Sequence, residues 1–361
     1  MASPPWQARL TAPRPGSSLH LRVKGVRLRI TVVASMRNEG AFIVEWLAWY
    51  KMLGFTDVVV VTNACTDRSP QLLDALQAAG RLHHIRHEVP PGSRITEAKL
   101  AAAREHKSVR RAQWVFVCDA DEFLVIHKGS GKIAELIGPP DAPPFLAMAL
   151  TWRVFGTCGV TEYRDLPVHQ QFSLARPQAS SLSQWVKLLF RQPRWFTKLA
   201  EHGPKGLLPE KAALRGTDPA LRLVTADGRE VPDWDVTGRR YLRRLPKALV
   251  SHEVAQVNHY MLRSAESFSL KAGTSSPVAL ADRYTNGYFQ RADGGRMPDS
   301  SAFRYADEFE DMRARLMALP DVARLHALCC ADHMAAICEK AGRRPEDEPR
   351  WQAFMAQAPA S

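Results

Sequence analysis

Cysteine is scarce in this sequence and its spacing is unhelpful for cross-linking. The six cysteines in 361 residues stand at 65, 118, 158, 329, 330 and 338 and form no C-x-x-C pair. That pattern argues against a disulfide scaffold and for small buried thiols in a reduced compartment. Cys329, Cys330, His333 and Cys338 lie close along the chain, but their spacing suits no common structural zinc site. No run of about 18 apolar residues occurs, so no transmembrane helix is expected. The N-terminus lacks the apolar core of a signal peptide, which makes the cytoplasm the expected location. There is no long Lys/Arg arm, no zinc-finger spacing and no stacking-aromatic pattern, so nucleic acid is not an expected partner. No internal repeat and no Gly-rich phosphate loop after the first strand are found; the missing loop argues against a sugar-phosphate nucleotidyltransferase.

What is present suits a folded enzyme. Apolar residues make up 45% and charged residues 24% of the chain, enough for a sizeable core without staples. The formal net charge of +12 favours anionic partners such as nucleotide phosphates, or peripheral contact with an anionic membrane surface at the inner face. A basic, well-solvated surface is the plain alternative.

Residues 28–125 alternate regularly. Leu28 to Ala34, LRITVVA, is β-branched and continuously apolar, as in a strand covered on both faces. The turn SMRNEG leads to a helix from about Glu39 to Leu53, with Phe42, Trp46, Leu47, Tyr50 and Leu53 on one face and Gly54 as terminator. Asp57 to Thr62 is a second buried strand, and NACTDR leads to a helix with Ser69 as N-cap and Pro70 at its first position. A short strand at 82–87, a helix from Ala98 to Val109 and the strand Trp114 to Cys118 follow. This order predicts a mostly parallel sheet flanked by helices, with ligands bound beyond the carboxyl ends of its strands. Later segments read as strands at Phe145 to Trp152 and Val254 to Tyr260, a helix starting at Ser264 and helical pattern from Ser301 to Lys340. The last 15 residues read as a tail. The expected division is a basic, disordered segment 1–26, a donor-binding half 27–145, an acceptor-binding and catalytic half 146–290, and a helical cap with tail 291–361.

The sharpest chemical signal is Asp119-Ala120-Asp121-Glu122, directly after the strand WVFVC. Two carboxylates one residue apart at a strand end can approach one hard cation, Mn²⁺ or Mg²⁺, with substrate phosphates completing its shell. Such a metal offsets charge on a departing diphosphate. A solvated acidic turn is the competing reading.

The wider text resembles the family 2-like glycosyltransferases, especially a bacterial branch related to family 92. The matching segments are VVASMRNEGAFIVEWLAWYKMLGFTDVVVVTNACTDRS, WVFVCDADEFLVI, TWRVFGTCG, VKLLFR, HGPK and QVNHYMLRSAESFSLK, together covering about 28–275. The resemblance implies a GT-A-like nucleotide-sugar-binding α/β fold. It implies transfer of a sugar from a nucleotide-sugar donor, with inversion, to a hydroxyl of a saccharide, a lipid-linked sugar or a surface-polymer precursor.

Residue by residue, Arg37, Asn38 and Glu39 match the loop beside the nucleoside, and Asp67 matches the acid that orders or binds the nucleotide. Two positions often acidic in the family are Thr62 and Ala64 here, while Asn63 offers a donor and an acceptor to a base. Asp121 is the expected metal carboxylate and Asp119 contacts ribose or metal. Glu122 orients its neighbours, and Phe123 reads as core. His259 is a candidate third metal ligand, with a structural histidine as the competing reading. Arg153, Lys187, His202 and Lys205 are candidates for the diphosphate, and His252 reads as a buried polar residue. An acceptor hydroxyl needs a general base, for which Glu162, Asp165 and His169 are candidates. Trp152 and Phe155 can stack on a sugar or belong to the core. A catalytically degenerate nucleotide- or glycan-binding protein of the same fold is the non-enzymatic alternative.

Overall fold

The structure is a computed structural model describing residues 22–23, 26–138, 145–214, 217–232, 234, 242–274, 282 and 284–358. Apart from 22–23 and 26, the N-terminal segment expected over 1–26 lies outside the described residues.

The alternation expected over 28–125 is present. Strand β1 (Ile30–Met36) is followed by α1 (Gly40–Met52), β2 (Asp57–Thr62), α2 (Ser69–Ala78), β3 (His83–Arg86), α3 (Ile95–Glu105) and β4 (Trp114–Val117). β1 lies parallel between β2 and β4, and β3 extends the sheet parallel to β2. β1, β2 and β4 are apolar on both faces because both are covered, while β3, HHIR, is only half-buried at the edge. Val32, Val58 and Phe116 join one buried cluster, and Val33, Val59 and Val115 join another.

The helix expected at 98–109 starts earlier and breaks. α3 stops at Glu105 because His106 turns extended, and the His106 ring accepts from the Ser108 N–H to open a new turn at Lys107–Arg110. At α2 the expected cap is corrected. Ser69 is already helical, and the carboxylate of Asp67 accepts from its N–H at 3.1 Å and its hydroxyl at 2.6 Å.

Beyond β4 the sheet continues with strands of both directions. β5 (Glu122–Ile126), β6 (Ala147–Val154), β7 (Val186–Arg191), a hairpin β8 (Phe196–Ala200) and β9 (Gly203–Leu207), β10 (Leu223–Thr225) and β11 (Ala255–His259) follow in sequence. The large sheet runs β3-β2-β1-β4-β7-β6-β11-β5, with β10 also on β6. β7 is antiparallel to β4 and β6, β11 is parallel to β6 and antiparallel to β5, and β10 is parallel to β6. The fold is thus a mixed α/β fold on a mostly parallel sheet. β5 and β7 were not separated from turn and loop by periodicity, since EFLVI is only five residues long and Lys187 and Arg191 interrupt the apolar run of VKLLFR.

A short helix α4 (Ala265–Ser269) follows β11, and α5 (Ala306–Met317) and α6 (Val322–Lys340) form the expected helical cap. α6 packs on α1 so closely that a Cβ on Gly40 would lie 2.6 Å from Cys329 Sγ. The expected tail is instead helical at Pro349–Ala356, α7, with Glu348 capping its start. No described helix is long and apolar enough to cross a membrane.

Candidate active site

Helix α1 holds the Asp119–Glu122 segment in place. The indole N–H of Trp46 donates to the Asp119 carbonyl at 3.1 Å, and that of Trp49 to the Leu124 carbonyl at 2.8 Å. The Tyr50 hydroxyl donates to the Glu122 carbonyl at 3.0 Å. An aromatic stripe chosen for burial therefore also supplies the polar ends that fix the loop. Within the loop, Glu122 Oε2 accepts from the Asp119 N–H at 2.8 Å.

The β5–β11 register then sets His259 opposite Glu122, which brings NHY to DADE. His259 Nε2 lies 3.4 Å from Asp121 Oδ1, and its Nδ1 lies 3.9 Å from Glu122 Oε1. Trp152 packs edge-on against the His259 ring at 4.3 Å and stacks on Trp185.

Two lysines meet the carboxylates. Lys187, on β7, is fully buried, and its Nζ lies 2.9 Å from Asp119 Oδ2, 2.9 Å from Glu122 Oε2 and 2.7 Å from the Glu201 carbonyl in the β8–β9 turn. Burial alone would lower the Lys187 pKa, but Asp119 and Glu122 outweigh it and hold the ammonium charged. Burial pushes Glu122 up to about 7; the charge of Asp119 adds to this, and Lys187 opposes it. Lys271, just past α4, donates to Asp121 Oδ2 at 3.1 Å and to the Met261 carbonyl at 2.9 Å. Burial would raise Asp121, but Lys271, His259 and Arg263 hold it well below the usual carboxylate range.

Arg263 closes the other side. It has a positive φ of 56°, pairs with Glu39 at 2.8 Å, donates to the Ala120 carbonyl at 3.2 Å and lies 3.5 Å over the Phe42 ring. Glu39 is thereby tied to the DADE loop.

The remaining first-loop residues are bonded to the second loop. Arg37 Nε donates to the Ala64 carbonyl at 3.1 Å, and Asn38 exchanges two bonds of 2.8 Å with Thr66. Asp67 accepts from the Gly40 N–H at 3.1 Å as well as from Ser69, so it joins the starts of α1 and α2. The buried Oδ1 of Asn63 has no hydrogen-bond partner among the described residues. Thr62 is turned to His84, 2.8 Å away.

Other candidates lie elsewhere. Arg153 pairs with Asp299 at 2.7 Å and donates to the Arg176 carbonyl at 2.7 Å, so its fork is spent away from the DADE carboxylates. Glu162 is exposed and faces Arg164 at 3.6 Å. Asp165 lies 3.1 Å from His326 Nε2 and 3.8 Å from Arg313, which occupies it as an ion-pair partner. His169 is buried and pushed down to about 4 by that burial. His202 Nδ1 meets the Val186 carbonyl at 2.8 Å, and burial pushes its pKa down to about 3, so it stays neutral. His252, expected as a buried polar residue, is half-buried with its Nε2 3.0 Å from the Trp152 carbonyl, and Phe155 is core.

Among the described residues, one His/Cys/Asp/Glu group has metal-ligand spacing: Asp165, His326 and Cys330, where Arg313 already faces Asp165. Asp119, Asp121 and His259 do not converge in that way, since Asp119 is turned to Lys187 while Asp121 meets Lys271 and His259. Cys329, Cys330, His333 and Cys338 do not gather either; His333 Nε2 faces the Ser267 hydroxyl at 3.0 Å.

Sequence reasoning missed Lys271, Arg263 and Lys99. Lys99 lies on the buried stripe of α3 with Thr96, Leu100 and Ala103, and donates to the Met36 carbonyl at 3.1 Å. Burial pushes it down to about 8, with Cys65, Arg37, Asp119 and Glu39 also acting on it. A lysine on an apolar helical stripe was its signal. Arg263 stands at the basic position of the NHY segment that carried the resemblance, and Lys271 carried no signal beyond lying in the same segment.

No protein-family model matches the chain, and no curated protein sequence matches it. Several solved structures show a distant likeness. Staphylococcus aureus TarS 1–349 is 14% identical, with 92% of this chain and 88% of that chain covered and a TM-score of 0.32. A mannosyltransferase from Pyrobaculum calidifontis, in complex with GDP-Man and Mn²⁺, is 14% identical over 95% and 89%, with a TM-score of 0.34. Glucosyl-3-phosphoglycerate synthase from Mycobacterium tuberculosis, in complex with Mn²⁺, UDP and glucosyl-3-phosphoglycerate, is 20% identical over 61% and 78%, with a TM-score of 0.33. TM-scores of this size leave the chemistry of this chain to its own residues.

Proposed function

We propose that this chain is a glycosyltransferase that binds a nucleotide-sugar donor and passes its sugar to an acceptor hydroxyl. One observation carries the reading. The loops after three parallel strands, Arg37–Glu39 after β1, Asn63–Asp67 after β2 and Asp119–Glu122 after β4, are bonded into one floor at the carboxyl edge of the sheet. That edge is where open α/β sheets bind ligands.

The orphaned Asn63 Oδ1 offers an acceptor to a base, and Arg37 brings positive charge to the same loop. Asp119 is the exposed carboxylate of the floor and faces the ribose side. The reaction breaks the bond from the anomeric carbon to the diphosphate oxygen, whose electron pair leaves with the nucleoside diphosphate. A bond to the acceptor oxygen forms, and its proton passes to a base and then to water. Inversion, a saccharide or lipid-linked acceptor and peripheral contact with an anionic membrane rest on the resemblance and on the basic charge.

Calorimetric titration with uridine, guanosine, adenosine and cytidine diphosphates and their sugars, with and without Mn²⁺, tests the reading on wild type and Asp121→Asn. Binding of one donor, weakened at least tenfold (about 1.4 kcal/mol) in the variant, is expected. No nucleotide binding by folded protein in either condition sinks the transferase and leaves a degenerate glycan-binding protein of the same fold.

A further inference from the structure

The two lysines of the site differ in what they have left to give. An ammonium has three N–H donors. Lys187 has three acceptors around it, Asp119, Glu122 and the Glu201 carbonyl, and its side chain is fully buried. It is an internal counter-charge. Lys271 makes two bonds, to Asp121 and to Met261, and its side chain is 27% exposed. Among the described residues the third N–H meets no acceptor, and it is left to point at a ligand.

Both oxygens of Asp121 are engaged, Oδ2 by Lys271 at 3.1 Å and Oδ1 by His259 at 3.4 Å. A hard divalent cation takes carboxylate oxygens at about 2.0–2.6 Å. On Oδ2 it would share the oxygen with an ammonium of like charge, and Asp119 is held by a different lysine. The two carboxylates that could share Mn²⁺ or Mg²⁺ are thus turned to two different ammonium groups and do not converge on one cation.

We propose that Lys271 takes the place of a divalent cation in this chain: held on Asp121, its ammonium binds the donor's diphosphate and stabilises the charge that develops there, so donor binding needs no metal. This rests on the transferase reading and names the group that serves its leaving group. As the bond to the anomeric carbon breaks, the electron pair collects on the diphosphate. The free N–H of Lys271 hydrogen-bonds a phosphate oxygen and keeps its proton, and the acceptor's proton goes to the separate base. Charge-assisted N–H to phosphate bonds are the strong class.

The test pairs two readouts. Uridine and guanosine diphosphates are titrated in EDTA and in MnCl₂ against wild type, Lys271→Met and Lys271→Arg, with folding checked by circular dichroism. Free Mn²⁺ is followed by electron paramagnetic resonance with each protein alone. The expected result is equal nucleotide affinity in EDTA and Mn²⁺, a loss of roughly tenfold or more in Lys271→Met, partial recovery in Lys271→Arg, and no manganese taken up by wild type. Stoichiometric manganese uptake that Asp121→Asn abolishes overturns the proposal, as does nucleotide binding that vanishes in EDTA. If no nucleotide binds under any condition, the transferase reading falls and the phosphate role of Lys271 with it. The manganese signal still reports by itself which cation Asp121 holds.

Discussion

Lys187 and Glu122 form a fully buried ion pair, Nζ to Oε2 at 2.9 Å, directly beneath the exposed carboxylate of Asp119. Removing one partner of such a pair leaves an uncompensated charge in the interior. Lys187→Met is therefore expected to destabilise the protein by roughly 3–5 kcal/mol. Adding Glu122→Gln to it is expected to recover a large part of that loss, because the charge left behind is gone. Urea unfolding of the two variants and wild type checks this; a double variant no more stable than the single one counts against the pairing.

Asp67 was expected at the nucleotide and in the structure joins two helix starts, accepting from Gly40, Ser69 N–H and the Ser69 hydroxyl. Asp67→Ala is expected to cost about 1–2 kcal/mol, the range for lost helix caps. Thermal unfolding measures that cost. Nucleotide titration of the same variant separates the two roles: affinity unchanged in folded protein means that Asp67 supports the loops and does not touch the ligand.

Glu45 is buried in α1, accepts from the Val168 N–H at 3.0 Å and leaves its second oxygen without a partner among the described residues. Burial pushes its pKa up to about 7, against the opposing charge of Arg263. A raised carboxyl pKa means that the folded protein keeps its proton between about 4.5 and 7 while the unfolded chain has lost its own, so this group's contribution to stability falls as pH rises through that window. Glu45→Gln is expected to match wild type near pH 4 and to gain up to roughly 3 kcal/mol on it above pH 8. Urea midpoints at the two pH values decide it; a constant difference contradicts the assignment.

Much of the floor of the site was legible in the sequence because it is local. Arg37, Asn38 and Asn63 were expected at strand ends and are there, since a strand followed by a turn can be read from a short window. Asp119 and Asp121 were expected beside a cation. What stands beside them are the ammonium groups of Lys187 and Lys271, 68 and 150 residues away in sequence. Their partners follow from the β4–β7 and β5–β11 pairings, which no local pattern encodes. The partners of Arg153 and Asp165, Asp299 and His326, were illegible for the same reason: they come from distant elements.

The sequence by itself determined the α/β alternation of residues 28–125, the buried strands and the helix faces, because apolar periodicity and turn residues act over a few neighbours. Only the tertiary structure decided which charges meet. It ran β7 antiparallel beside β4, set His259 opposite Glu122 and returned Lys271 to Asp121. Those outcomes belong to strand pairing and to the need to compensate every buried charge, and both are settled between segments far apart in the chain.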